Sequence, residues 1–211
     1  MKDSDFFTWR RDCFLRFQEL TCADEVYQEL QRQTQALEID YYALCVRHPV
    51  PFTRPKISLQ TTYPKLWMAQ YQSANYFAID PVLKPENFIQ GHLPWTDALF
   101  AEAQELWHSA QDHGLRSGIT QCLMLPNHAL GFLSVSRTRV QEGPLAHEEI
   151  ELRLQMLVQM ALTSLMRFDD EMVMPPEMKF SKRERDIMKW RAVGTPAAEF
   201  GLVESFSECR G

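Results

Sequence analysis

The residues whose side chains could take part in binding or catalysis lie between positions 63 and 100, in a segment rich in aromatic side chains. Trp67 and Tyr71 are four residues apart, and Asp80 directly precedes Pro81. An indole N–H, a phenol and a carboxylate are hydrogen-bonding groups that suit a small ligand held among apolar side chains. Taken singly, each feature has a plainer interpretation, since an i,i+4 aromatic pair is typical of a helix core and Asp-Pro of a turn.

The sequence contains no recognisable catalytic arrangement. Its six histidines include no pair at the i,i+4 spacing of a helical metal site, and there is no G-x-S-x-G, P-loop or G-x-G-x-x-G motif. Asp97, Asp112 and His113 could form part of a triad, but no nucleophile is placed beside them. We therefore predict a protein that is not an enzyme and has no metal or cofactor. A lactone- or amide-cleaving enzyme is the alternative.

The aromatic segment resembles the autoinducer-binding domain of LuxR-type receptors. The resemblance rests on W-x-x-x-Y at Trp67 and Tyr71, D-P at Asp80, then Trp95 and Gly118. A second motif, S-K-R-E-R-D-I-M-K-W-R-A-V-G at residues 181–194, resembles the opening of a LuxR-type helix-turn-helix. The resemblance covers residues 1 to about 199.

The resemblance implies a ligand of the N-acyl homoserine lactone type. It implies that Trp67 donates to the lactone carbonyl and that Asp80 accepts from the amide N–H. Tyr63 and Ser134 are expected to donate to the amide carbonyl. Apolar and aromatic residues are expected to surround the ring and acyl chain: Tyr71, Phe77, Val82, Trp95, Phe100, Leu106, Ala110, Leu115 and Phe132. Burying Asp80 without a donor is costly, so we expect the empty pocket to be unstable or filled with water.

Two pocket positions depart from the family pattern. Ala43 lacks the hydroxyl of a serine that such receptors can carry there, and Leu59 is aliphatic where related pockets are often aromatic. Both are expected to affect the preference for acyl length, in a direction that the sequence leaves open.

The C-terminal residues depart more strongly. From about residue 200 (FGLVESFSECRG) the chain does not match the family, in which this region completes a scaffold helix, a turn and a recognition helix. Recognition helices make the base contacts, so we expect an incomplete helix-turn-helix without sequence-specific DNA binding. Three basic residues could contact DNA phosphates but could not read the base sequence: Lys182, Arg183 and Lys189. The sequence thus predicts a signal-binding regulator, or alternatively a module that sequesters ligand or forms mixed dimers without binding DNA.

Composition fits a globular protein of 211 residues with 45% hydrophobic content. The net charge of −6 is unusual for a nucleic-acid binder, and the negative excess lies in residues 1–170. No apolar run is long enough for a membrane span and the start of the sequence is charged, so we predict a cytoplasmic protein.

Five cysteines without paired spacing indicate neither a disulfide framework nor a zinc module, and Cys45 and Cys122 are expected to be buried thiols.

Apolar periodicity predicts an α+β fold, an α-β-α sandwich around an antiparallel sheet of about five strands. Helices are expected at 5–20, 24–37, 64–75, 98–112 and 145–168, and strands at 39–46, 57–62, 91–95 (or a loop), 119–125 and 130–136. The ligand-binding domain would span 1–168, a linker 169–179 and the incomplete helix-turn-helix 180–211. The helix at 145–168 is apolar on two arcs, which favours either a homodimer or full burial within one chain.

Overall fold

The computed structural model of the chain describes residues 5–48, 56–87, 91–139 and 148–174. Its helices are α1 (Phe6–Glu19), α2 (Ala23–Ala36), α3 (Lys65–Ser73), α4 (Gln104–Asp112) and α5 (Glu148–Arg167). Its strands are β1 (Tyr41–Arg47), β2 (Ile57–Thr61), β3 (His92–Pro94), β4 (Ser117–Met124) and β5 (Leu130–Arg137). Three 3₁₀ turns, Tyr76–Ala78, Pro81–Leu83 and Pro85–Asn87, lie between α3 and β3.

The strands form one antiparallel sheet in the order β2–β1–β5–β4–β3. The predicted hairpin joins β4 to β5, and the Leu125 N–H closes its turn by donating to the Ala129 carbonyl at 2.8 Å. The predicted fold class, with its five-stranded antiparallel sheet, is confirmed.

The two faces of the sheet have different neighbours. Successive residues of a strand point to opposite faces. On β1, Tyr42, Leu44 and Val46 belong to the main hydrophobic core, whereas Ala43 and Cys45 line a cavity together with residues of α3 and α4. The sheet thus separates a densely packed core from the cavity.

Helices α1, α2 and α5 cover the core face. The α5 residues Leu154, Leu157, Val158, Ala161 and Leu165 are almost fully buried there. Burying a side chain of this size contributes about 1.5–3 kcal/mol, so α5 is a principal support of the sheet. The second apolar arc of α5 is less covered, and Leu152 is 43% exposed.

Two local predictions were wrong. Helix α4 begins at Gln104 rather than at residue 98, because residues 97–102 form turns, and Asp97 accepts a 2.7 Å hydrogen bond from the Trp107 indole. Cys122 is only half-buried, because it lies on the wall of an open surface groove with His92 and Glu151. Cys45 is buried, as predicted.

Residues 169–174, which the sequence assigns to the linker, pack onto the domain. Met172 and Val173 are buried, His48 Nε2 lies 3.0 Å from the Met172 carbonyl, and Asn127 donates to the Val173 carbonyl at 3.0 Å. The chain divides into two compact units, Met1–Pro176 and Glu177–Gly211. The predicted helix-turn-helix at 180–211, with Lys182, Arg183 and Lys189, lies outside the described residues.

No helix in the described ranges is long and apolar enough to cross a membrane.

Candidate functional site

A cavity lies between the sheet and the helices α3 and α4. Its cavity volume is about 60 Å³, and the space not filled by atoms, open solvent included, amounts to about 610 Å³. Its lining comprises Ala43, Cys45, Leu59, Tyr63, Trp67, Met68, Tyr71, Phe77, Asp80, Val82, Leu83, Trp95, Phe100, Leu106, Trp107, Ala110, Leu115 and Ser134. Mostly apolar walls with a few polar groups are typical of a small-molecule site.

Fourteen of the fifteen residues predicted as ligand contacts line this cavity, although they come from positions 43 to 134 of the chain. The exception is Phe132, which is fully buried on β5 opposite Cys45 and is not among the lining residues. Whether any of the fifteen contacts a ligand stays a prediction.

The sequence analysis missed four lining residues: Cys45, Met68, Leu83 and Trp107. Cys45 could have been found, because it lies two residues beyond Ala43 on the same strand and so shares its face. Trp107 and Met68 carry a helical signal, since each lies three residues before a predicted residue, Ala110 on α4 and Tyr71 on α3. The Trp107 ring also stacks on Phe100 with centroids 4.7 Å apart. Leu83 is adjacent to the predicted Val82 but has no periodic signal of its own.

Asp80 caps the 3₁₀ turn Pro81–Leu83, and both of its oxygens have donors. Oδ1 accepts from the Val82 N–H at 2.8 Å, and Oδ2 accepts from the Tyr71 hydroxyl at 2.5 Å. The premise that Asp80 lacks a donor in the empty pocket is therefore wrong, and the instability or water filling of the empty pocket stays a prediction. Burial raises the pKa of Asp80 to about 6, and the hydrogen bonds from Tyr71 and Val82 and the charge of Lys84 limit the rise.

Trp67 is the one tryptophan in the described ranges whose indole N–H has no acceptor there. The indoles of Trp9, Trp95 and Trp107 donate to Gln33, Thr120 and Asp97 at 3.0, 3.0 and 2.7 Å. Trp67 is only 2% exposed. Because an indole N–H can only donate and Trp67 lines the cavity, this position favours an acceptor supplied from the cavity.

A row of hydroxyl groups borders the cavity on the sheet side. The Trp95 indole donates to Thr120 Oγ1, which lies 2.8 Å from Ser134 Oγ. Burial raises the pKa of the Tyr63 hydroxyl above its ordinary value, the nearby Asp80 raises it further, and a hydrogen bond from Ser134 opposes the rise. Tyr63 is therefore protonated and can donate.

Gly118 determines the position of Trp95. A Cβ atom at residue 118 would lie 2.2 Å from the Trp95 ring, far inside van der Waals contact. Only glycine lets the indole lie flat against β4, which explains why the predicted motif includes this position.

The residues considered for a catalytic triad have structural partners instead. Asp97 accepts from the Trp107 indole, and His113 Nδ1, directly after α4, lies 2.8 Å from the Ser109 carbonyl. Within the part of the chain that the structure describes, no group of three His, Cys, Asp or Glu side chains could hold a metal ion. The geometry of the cavity is that of a binding site.

Comparison with known proteins agrees with this geometry. The family described as "Autoinducer binding domain" matches residues 23–165. The "Regulatory protein SdiA" of Escherichia coli is 58% identical over 208 residues, covering 99% of this chain and 87% of that protein. The "HTH-type quorum-sensing regulator RhlR" of Pseudomonas aeruginosa is 35% identical over 206 residues, covering 98% and 86%. The solved structure "SdiA in complex with octanoyl-rac-glycerol" is 57% identical and has a TM-score of 0.81, covering 97% of this chain and 84% of that one.

The matched region contains the whole cavity lining, from Ala43 to Ser134, and strands β1 to β5. These relatives are regulators rather than enzymes. This chain belongs to the LuxR family of quorum-sensing transcriptional regulators and carries their autoinducer-binding domain.

Proposed function

We propose that the cavity binds an N-acyl homoserine lactone or a closely similar acyl compound as the signal that controls this regulator. The observation that carries the proposal is the buried Trp67 indole, which has no acceptor among the described residues. A lactone carbonyl oxygen would supply that acceptor.

The other polar groups suit the amide of such a ligand. Asp80 can accept from the amide N–H, because each carboxylate oxygen has a lone pair left after bonding Tyr71 or Val82. Tyr63 and Ser134 would donate to the amide carbonyl. The apolar lining, including Val82, would receive the acyl chain. That a relative is described in complex with octanoyl-rac-glycerol supports a chain of medium length.

Thermal unfolding with and without N-octanoyl homoserine lactone tests this function. We expect the ligand to raise the midpoint of the wild type by several degrees, since a ligand that binds only the folded state stabilises it. Trp67→Phe should lose most of that rise. Trp9→Phe is the matched control, because its indole bonds Gln33 in the main core, and it should keep the rise at a lower midpoint. No rise for the wild type with any acyl homoserine lactone would overturn the proposal.

We also propose that the functional unit is a homodimer, with the second copy seated on the outer face of α1 and α5. This face forms an apolar groove whose lining includes Phe7, Phe14, Met156 and Met160. Phe7 is 70% exposed and Phe14 is 48% exposed, which is a strong sign of an interaction surface. Sedimentation should give a dimer that Phe14→Glu dissociates, whereas Leu66→Glu, at an exposed site on α3, should leave it intact. A wild-type monomer at micromolar concentration would refute the dimer.

A transcriptional regulator acts at the chromosome, so the proposal places this chain in the cytoplasm, working without a cofactor. The absence of sequence-specific DNA binding remains a prediction, because it concerns residues outside the described ranges. If that prediction holds, the dimer proposal favours a module that captures ligand or pairs with a DNA-binding copy.

A further inference from the structure

Thr120 lies behind the cavity and connects two of its lining residues. Its Oγ1 accepts from the Trp95 indole at 3.0 Å and lies 2.8 Å from Ser134 Oγ. Thr120 is fully buried and Ser134 is 7% exposed. Thr120 itself is not among the residues that line the cavity, so its effect on a ligand would pass through Ser134.

The direction of these hydrogen bonds follows from the chemistry of the indole. An indole N–H can only donate, so the Thr120 oxygen accepts from Trp95. The Thr120 hydroxyl hydrogen then needs an acceptor, and Ser134 Oγ is the acceptor that the described structure places within reach. If Ser134 donated to Thr120 instead, the Thr120 hydrogen would be buried without a partner, which is the costlier arrangement. Thr120 therefore donates to Ser134.

We propose that Thr120 is a positioning residue that makes Ser134 present a hydrogen-bond donor to the ligand, so that the cavity selects molecules with a carbonyl oxygen at this point. The inference rests on the proposed function of the cavity. The hydrogen of Ser134 points to the ligand or to the Tyr63 hydroxyl, which then passes on its own hydrogen. In either case the row ends in a donor.

This arrangement separates two parts of ligand recognition. The hydroxyl row would recognise the acyl carbonyl, which amides and esters share. Asp80 would recognise the N–H, which an amide has and an ester lacks. An alkyl ether of the same length offers no strong acceptor to Ser134, and should bind more weakly than the ester.

The experiment measures calorimetric affinities for N-octanoyl homoserine lactone, 1-octanoylglycerol and the ether 1-O-octylglycerol. We expect Thr120→Val, which keeps the side-chain shape and removes the hydroxyl, to weaken the amide and the ester about five- to tenfold. Its affinity for the ether should be unchanged. Thr120→Ser should bind all three like the wild type. Asp80→Asn should weaken the amide and spare the ester.

A second comparison distinguishes positioning from loss of packing. In a Ser134→Ala background, Thr120→Val should have no further effect on the amide, because the group through which Thr120 acts is gone. If Thr120→Val does not fold, Thr120→Ala serves in the same cycle. Equal affinity of wild type and Thr120→Val for the amide and ester, or equal weakening of the ether, would overturn the role of Thr120 while leaving the proposed function intact. A wild type that binds none of the three probes would overturn both.

Discussion

The Tyr71 hydroxyl donates a 2.5 Å hydrogen bond to Oδ2 of Asp80, so this carboxylate already has a protein partner inside the cavity. The Val82 N–H serves the other oxygen. Burial nevertheless raises the pKa of Asp80 to about 6, because these bonds only partly replace the water that the carboxylate loses. Asp80 is thus mostly ionised at neutral pH, which is the state that accepts an amide N–H.

The raised pKa predicts how the stability of the unliganded protein depends on pH. The folded protein holds the Asp80 proton more tightly than the unfolded chain, whose ordinary pKa is 3.8. Acidification from pH 7 to about pH 4 therefore adds stability through this group, and the gain is lost again as the pH rises through about 6. The unfolding free energy of the wild type, relative to Asp80→Asn, should increase by roughly 1–3 kcal/mol over this window. Urea unfolding at both pH values measures it, and a difference that stays constant would contradict the burial of Asp80.

Tyr71→Phe removes the shorter of the two hydrogen bonds to Asp80. We expect a loss of about 1–3 kcal/mol at pH 7, because an ionised, buried oxygen is left without its donor. The pKa of Asp80 should rise further, since the Tyr71 bond lowers it. Tyr76→Phe is the matched control, because its hydroxyl makes a longer bond of 3.4 Å to the exposed Glu105. Chemical unfolding compares the two, and an equal loss would argue against a special role for Tyr71.

Gly118→Ala should disturb the cavity, whereas Gly131→Ala should not. The added Cβ at residue 118 meets the Trp95 ring at 2.2 Å, and overpacking of this kind costs about 1–3 kcal/mol. The Trp95 indole would also move away from Thr120, so ligand affinity should fall. At residue 131 the Cβ meets the end of the Leu162 side chain in the main core. Calorimetry on both folded variants provides the test, and a normal ligand affinity for Gly118→Ala would show that Trp95 tolerates displacement.

The cysteines should differ sharply in reactivity. Cys45 is buried beside Asp80, and desolvation raises its pKa to about 12, whereas Cys22 is exposed at the start of α2. Since the thiolate is the reactive form, iodoacetamide at pH 7.5 should modify Cys22 orders of magnitude faster than Cys45. Peptide mass spectrometry of the native protein measures both rates. Rapid modification of Cys45 would mean that reagent and water enter the cavity freely.

Much of the fold could be predicted from the sequence because its signals are local. The aromatic and apolar run of β1, the alternation of β2 and the helical spacing in α1, α2 and α5 depend on neighbours within a few positions. The boundary of α4 could not be predicted in this way. The Trp107 indole donates to Asp97 and helps to hold residues 97–102 in turns, although their apolar pattern alone predicts a helix.

The sequence by itself determined the chemical inventory of the site: an indole and a phenol four residues apart, a carboxylate before a proline, and a further tryptophan and glycine at positions 95 and 118. The tertiary structure alone decided how these groups are paired. It left the Trp67 indole without an acceptor in the described ranges, gave Asp80 two donors, and placed Thr120 behind Ser134. The physical reason is that hydrogen-bond partners are chosen by distance and direction in three dimensions, and residues 14 or 25 positions apart have no local pattern that relates them.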